Sequence, residues 1–124
     1  MGYHVIDPDA IAPTDDYPCD RRSLTGAAGL NTLHLARSTM EPGEHLPRTY
    51  HYHELREEAF YVLDGPLHVE TPEEEYVVET DSVFVAEPDS AHRAYNPEDA
   101  EGPVTVLGTG APRTDPALAY DPEE

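Results

Sequence analysis

The chain has 124 residues, 26 of them acidic against 7 basic, for a net charge of −19; that length holds one modest core and excludes repeat arrays and multidomain architectures. A charge this negative repels nucleic acid and anionic membrane, so neither is expected as a partner. All seven basic residues are arginine, and a lysine-free acidic surface fits a salt-saturated cytoplasm, where a Debye length of roughly 3 Å or less removes its self-repulsion.

In chain order, the N-terminal run Met1-Gly2-Tyr3-His4-Val5-Ile6-Asp7 has neither the positive nor the apolar region of a secretion signal. Ile6 also stands where a myristoylation motif wants Ser or Thr, and a soluble, cytoplasmic protein is expected. Residues 1–30 read as an irregular acidic arm with a turn at Asp20 to Ser23. Within it Cys19, the one cysteine, can build neither an intramolecular disulfide nor a cysteine-rich zinc site. Thirteen prolines and eight glycines then leave little room for helices. Short Val-, Tyr-, Phe- and Thr-rich segments predict strands over Leu33 to Thr39, Tyr50 to His53, Ala59 to Leu63, Leu67 to Glu70, Tyr76 to Glu79, Ser82 to Ala86, Ala91 to Tyr95 and Val104 to Leu107. The turns between them carry suitable chemistry, as at Glu41-Pro42-Gly43, Asp64-Gly65-Pro66 and Glu87-Pro88-Asp89. This spacing predicts an all-β sandwich or barrel over residues 31–110, followed by an acidic, Pro-rich tail over 111–124. Its strand patterning and 38% hydrophobic content argue against a disordered acidic chain.

Histidine is concentrated where the strand pattern is strongest, at His45, His51, His53 and His68, with His92 one strand later. His51 and His53 are two apart, which on a strand puts both imidazoles on one face, about 7 Å apart along the chain. A carboxylate follows in Glu57 or Glu58, and His92 comes with Asn96 from a later strand. Three neutral imidazoles and a carboxylate suit a divalent transition metal, with iron, manganese, nickel, zinc and copper all compatible. A lone His-x-His on a half-exposed polar strand would mean nothing; the combination points to a metal site.

These residues resemble the cupin superfamily. Its first motif corresponds to Gly43, His51-Tyr52-His53, Glu58 and the run Ala59-Phe60-Tyr61-Val62-Leu63-Asp64-Gly65, and its second to Glu87-Pro88-Asp89-Ser90-Ala91-His92 followed by Asn96. The spacer from Gly43 to His51 is longer than the family pattern, and Thr80 or Asp81, and Asp89, stand where the second motif has glycines. Because Asp tolerates positive φ better than most residues, those turns are expected to survive. On an uninterrupted strand Glu57, not Glu58, would share a face with His51 and His53. The family count back from Gly65 selects Glu58 and requires a loop across Glu54 to Glu57 to reset the phase.

The resemblance implies an antiparallel double-stranded β-helix, or jelly-roll barrel, of a small single-domain cupin 2-like protein of haloarchaeal type. It implies a divalent metal held by His51, His53, Glu58 and His92, and a homodimer. With Glu58 inward, Phe60 and Val62 share its wall, while His92, Ala94 and Asn96 share another, a lining suited to a small-molecule ligand or substrate. Asn96 is read as structural. Arg48, Tyr50 and Tyr52 lie beside the motif; Tyr52 alternates with the ligands and points away, while Arg48 and Tyr50 are open to either reading. His4, His34, His45 and His68 have no partners at ligand spacing and are left out. The expected function is that of a metal-dependent enzyme of dioxygenase or isomerase type acting on a small oxygenated metabolite. The alternative is a non-catalytic binding or sensor module in the same barrel. No phosphate loop, nucleophile elbow or cysteine chemistry is present.

Overall fold

A computed structural model describes residues 2–121, apart from the side chains of residues 47–49. Arg48 therefore lies outside the described side chains. Among the described residues, no helix is long and apolar enough to cross a membrane.

The strands are β1 (Asp20–Ser23), β2 (His34–Met40), β3 (His45–Tyr52), β4 (Glu57–Asp64), β5 (Leu67–Glu70), β6 (Glu75–Val78), β7 (Val83–Ala86), β8 (His92–Tyr95), β9 (Val104–Ala111) and β10 (Leu118–Ala119). They form two five-stranded sheets, one ordered β1-β2-β9-β4-β7 and the other β10-β3-β8-β5-β6, with antiparallel pairing throughout. The expected antiparallel jelly-roll barrel is thus the architecture found.

Period-two burial builds the core. Along β9, Val104 and Val106 point inward; β2 contributes Met40, β4 Val62, β5 Leu67 and Val69, and β8 Ala94, all at most 2% exposed. Each fully buried Val or Leu of this kind stabilises the fold by about 1.5–3 kcal/mol relative to an exposed one. Asn96, also fully buried, donates both amide hydrogens, to the Met40 and Gly102 carbonyls at 3.0 and 2.9 Å. It thereby ties the end of β8 to the end of β2 and to the turn before β9. These bonds occupy its side chain at the end of the barrel away from the histidines.

The sequence reading differs from the structure near both chain ends and in β3; within residues 111–124, read as a tail, Leu118–Ala119 form β10 beside β3. Asp20 to Ser23, expected as a turn, is a strand paired with β2; its charged residues hide the alternation because β1 is an edge. Residues 24–28 form one helical turn, α1 (Leu24–Ala28), capped by Ser23 Oγ, which accepts from the Gly26 N–H, and ended by Gly29 at φ +67°. β3 begins at His45 rather than Tyr50, and its register shifts between Leu46 and His51. Pro47 falls in that interval and has no N–H to give to a ladder. Asp81 and Asp89 do adopt left-handed conformations, at φ 67° and 65°, and the turns keep their shape without glycine.

Candidate metal centre

One end of the barrel is lined by residues too small to fill it. Passing along β9 from Val104 to Gly110, the inward positions shrink from Val104 and Val106 to Gly108 and Gly110. On the paired β2, Met40 gives way to Ser38 and Ala36. The space left is a cavity of about 230 Å³. His51, near the end of β3, His53, just beyond it, and Glu58, at the start of β4, project into it. His92 joins them from β8 as the cross-strand partner of His51.

The loop over residues 53–56 carries the chain from one sheet to the other. It resets the inward phase from odd to even positions, so that Glu58 is buried and Glu57 exposed. Gly110 lies opposite Glu58. A Cβ there would come within 2.9 Å of Arg56 Cδ and 3.2 Å of Glu58 Cγ, so only glycine leaves these two side chains their places.

The four site residues converge on one point. The Nε2 atoms of His92, His51 and His53 lie 3.1, 3.7 and 3.8 Å from the same oxygen, Glu58 Oε1. Ligand atoms of His51, Glu58 and His92 all lie within 4.8 Å of one another. The Nδ1 atoms of His92 and His53 face the carbonyls of Ser90 and Asp115 at 2.9 and 3.0 Å. A carbonyl only accepts, so these Nδ1 atoms carry hydrogen, and in the neutral rings Nε2 presents a lone pair to the centre. Glu58 Oε1 and His92 Nε2 are buried without a hydrogen-bond partner among the described residues. Lone pairs aimed at a carboxylate oxygen repel one another unless a cation lies between them. The donor set, three imidazoles and one carboxylate, is that of a divalent transition-metal site.

The electrostatics agree. Burial by itself would raise the Glu58 carboxyl; when the facing rings carry a proton at Nε2, hydrogen bonds from His51 and His92 and the charges of His92 and His53 override it and hold the group well below the usual carboxylate range, the same preference for a cation beside Oε1 that a metal would meet. Burial depresses His53, against the opposing pull of Glu58, which favours the neutral ring a metal needs. Arg56 Nη1 donates to Glu58 Oε2 at 3.3 Å, which leaves Oε1 for the centre. Arg56 Nε and Nη2 donate to the carbonyls of Pro112 and Arg113. Asp115 accepts from the N–H groups of Leu55 and Arg56 at 2.8 and 3.0 Å, fixing the 53–56 loop.

Of the other residues singled out in the sequence, Phe60 lines the cavity, whereas Val62 and Ala94 lie deeper in the core. Tyr50 packs on Tyr120 instead, their rings 4.9 Å apart. His34, set aside in the sequence, does line the cavity, together with Tyr17, Arg21, Arg56 and Asp115. The phase of His34 with Ala36 and Ser38 on one strand was the available signal; Tyr17, Arg21 and Asp115 gave none, being distant in the chain. A wider groove of about 780 Å³ runs between β6 and β7 and reaches His92 alone of the four.

Residues 36–108 match the family described as the Cupin domain, and no curated protein matches the chain significantly. Among solved structures, a candidate sugar phosphate isomerase of Acidithiobacillus ferrooxidans is 26% identical, with a TM-score of 0.67; the match covers 75% of this chain and 58% of that protein. A sugar phosphate isomerase of Silicibacter pomeroyi is 24% identical over 87% of this chain and 75% of that one, with a TM-score of 0.71. A predicted oxalate decarboxylase of Thermotoga maritima is 17% identical over 87% and 98%, with a TM-score of 0.73. With the family match spanning more than half of its length, the chain belongs to the cupin family.

Proposed function

We propose that the protein is a divalent-metal-dependent enzyme of the isomerase or dioxygenase type, acting on a small oxygenated metabolite in the barrel, with His51, His53, Glu58 and His92 as metal ligands. The observation that carries this reading is the convergence of three imidazole nitrogens on one buried carboxylate oxygen that has no hydrogen-bond partner among the described residues. A bound divalent ion would supply Lewis acidity toward an oxygen of the substrate. The chain's own residues do the rest. The Ser90 and Asp115 carbonyls fix which nitrogen of His92 and His53 faces inward. Arg56 holds the Glu58 carboxylate in one orientation, and Phe60 supplies an apolar wall that keeps water from one side. Sugar phosphates and oxalate, named for proteins of similar structure, are small oxygen-rich anions and support that substrate class.

The homodimer expected from the sequence remains part of the proposal. β6 and β7 stand at the outer edges of their sheets with Tyr76, Val77, Val83 and Val85 exposed, and sedimentation equilibrium tests it. Metal analysis tests the central reading. Untagged protein purified in high salt should hold near-stoichiometric metal, and His51→Ala should lose it while keeping the barrel's circular dichroism. A folded wild type that retains no metal after loading and gel filtration would leave a binding module as the better description.

A further inference from the structure

We propose that Arg21 is the specificity residue of the cavity, pairing with a carboxylate of the substrate, and that the ligand class is a small carboxylate with a second oxygen function. The second function would lie at the metal, so for the ligand's orientation the inference rests on the metal-site reading.

The register places Arg21. It lies opposite Ser38 in the β1–β2 pair, and cross-strand partners share a face. Ser38 is 2% exposed and inward, so Arg21 also faces the cavity, while Arg22 and Arg37, the next pair along, face out. The guanidinium is held in place: Nη1 donates to Thr14 Oγ1 at 3.1 Å, the Thr14 N–H donates to the Arg21 carbonyl at 2.8 Å, and the Tyr17 ring lies 5.3 Å from its carbon.

The charges on the cavity wall single it out. Glu58 is paired with Arg56, which also donates from Nε and Nη2 to two carbonyls. Asp115 is held by two backbone N–H groups. Arg22, Arg37, Arg56 and Arg93 each form an ion pair, whereas Arg21 forms none among the described residues. In a molecule of net charge −19, whose field repels anions, a half-buried arginine facing a candidate metal site without a carboxylate is suited to an anionic ligand. The cavity volume of about 230 Å³ lies below the roughly 300–1,000 Å³ of sites that take drug-sized ligands, which suits a ligand of a few carbons. Arg21 lies outside the matched domain, residues 36–108, so this recognition is a property of the chain's N-terminal segment.

The test is calorimetric titration of full-length protein with oxalate, malonate and succinate, and with oxamate, malonamate and succinamate, in which one carboxylate is replaced by an uncharged amide. Metal content is measured in each sample, and metal-loaded and chelator-treated protein are compared. At least one dicarboxylate should bind wild type about tenfold or more tightly than its half-amide, consistent with a charge-assisted, bidentate contact. Arg21→Gln should abolish that preference at unchanged metal content, and Arg21→Lys should keep part of it. Equal binding by wild type and Arg21→Gln, including no binding of any probe by either, would overturn the inference. Tighter, Arg21-dependent binding of 2-phosphoglycolate than of every dicarboxylate would overturn the carboxylate assignment in favour of phosphate. An Arg21-dependent preference in wild type that takes up no metal would sink the metal reading and leave the carboxylate contact standing.

Discussion

Arg56→Met tests how the site is held together. Arg56 and Glu58 have side chains only 11% and 8% exposed, and their closest atoms are 3.3 Å apart. At an effective dielectric of about 20 the attraction is about 5 kcal/mol. Removing one partner of a buried pair costs about 3–5 kcal/mol, because the other charge is left buried. The lost bonds to Pro112 and Arg113 add little, since water can reach those carbonyls. For a domain of this size, roughly 3–5 °C per kcal/mol follows from the usual unfolding entropy, so the metal-free variant should melt roughly 10–20 °C below wild type. Adding Glu58→Gln should recover much of the loss, since no carboxylate is then stranded, giving a coupling of about 3 kcal/mol in the double-mutant cycle. In metal-loaded protein the ion takes over part of the counter-charge, and the same substitution should cost less. Thermal unfolding followed by circular dichroism, with and without chelator, reads all of these. A metal-free Arg56→Met protein melting within a few degrees of wild type, or strict additivity with Glu58→Gln, would refute the reasoning.

Burial, followed by Arg21 and Arg56, lowers His34 to about 4. The unfolded chain therefore takes up a proton before the folded one does, and the contribution of neutral His34, present above about pH 6.5, is lost as pH falls toward 4. His34→Gln should flatten the stability profile in that window, by a few kcal/mol at most after discounting for partial exposure, as read from urea unfolding at stepped pH. Asn96→Ala strands the Met40 and Gly102 carbonyls and should cost about 2–4 kcal/mol in chemical denaturation, with metal content unchanged in the folded fraction. At Asp89, where φ is 65°, glycine should be tolerated at no loss, whereas alanine should cost about 1 kcal/mol; thermal melts of the two variants separate backbone strain from side-chain chemistry. With a net charge of −19, the melting temperature should rise between dilute and multimolar potassium chloride, and a melt indifferent to salt would exclude the halophilic reading.

What the sequence determined by itself were features of short range or fixed period. Alternating apolar residues separated by Pro, Gly and Asp turns specify β strands, and the pair His51 and His53 shares a face because a strand repeats every two residues. Glu58 was legible only with the family motif as a ruler, since strand periodicity alone selects Glu57. The chain's crossing between sheets over residues 53–56 is what turns Glu58 inward. Only the tertiary structure decided what surrounds that cluster. Gly108 and Gly110 open the cavity because β9 lies beside both β2 and β4. Arg21 reaches it through pairing with β2, and Asp115 through its bonds to the loop before β4. These contacts join residues far apart in the chain, Leu55 to Asp115 across 60 positions and His34 to Gly110 across more, and no local pattern encodes them, because an edge strand or an ordered tail is specified by the surface it meets and not by its own alternation.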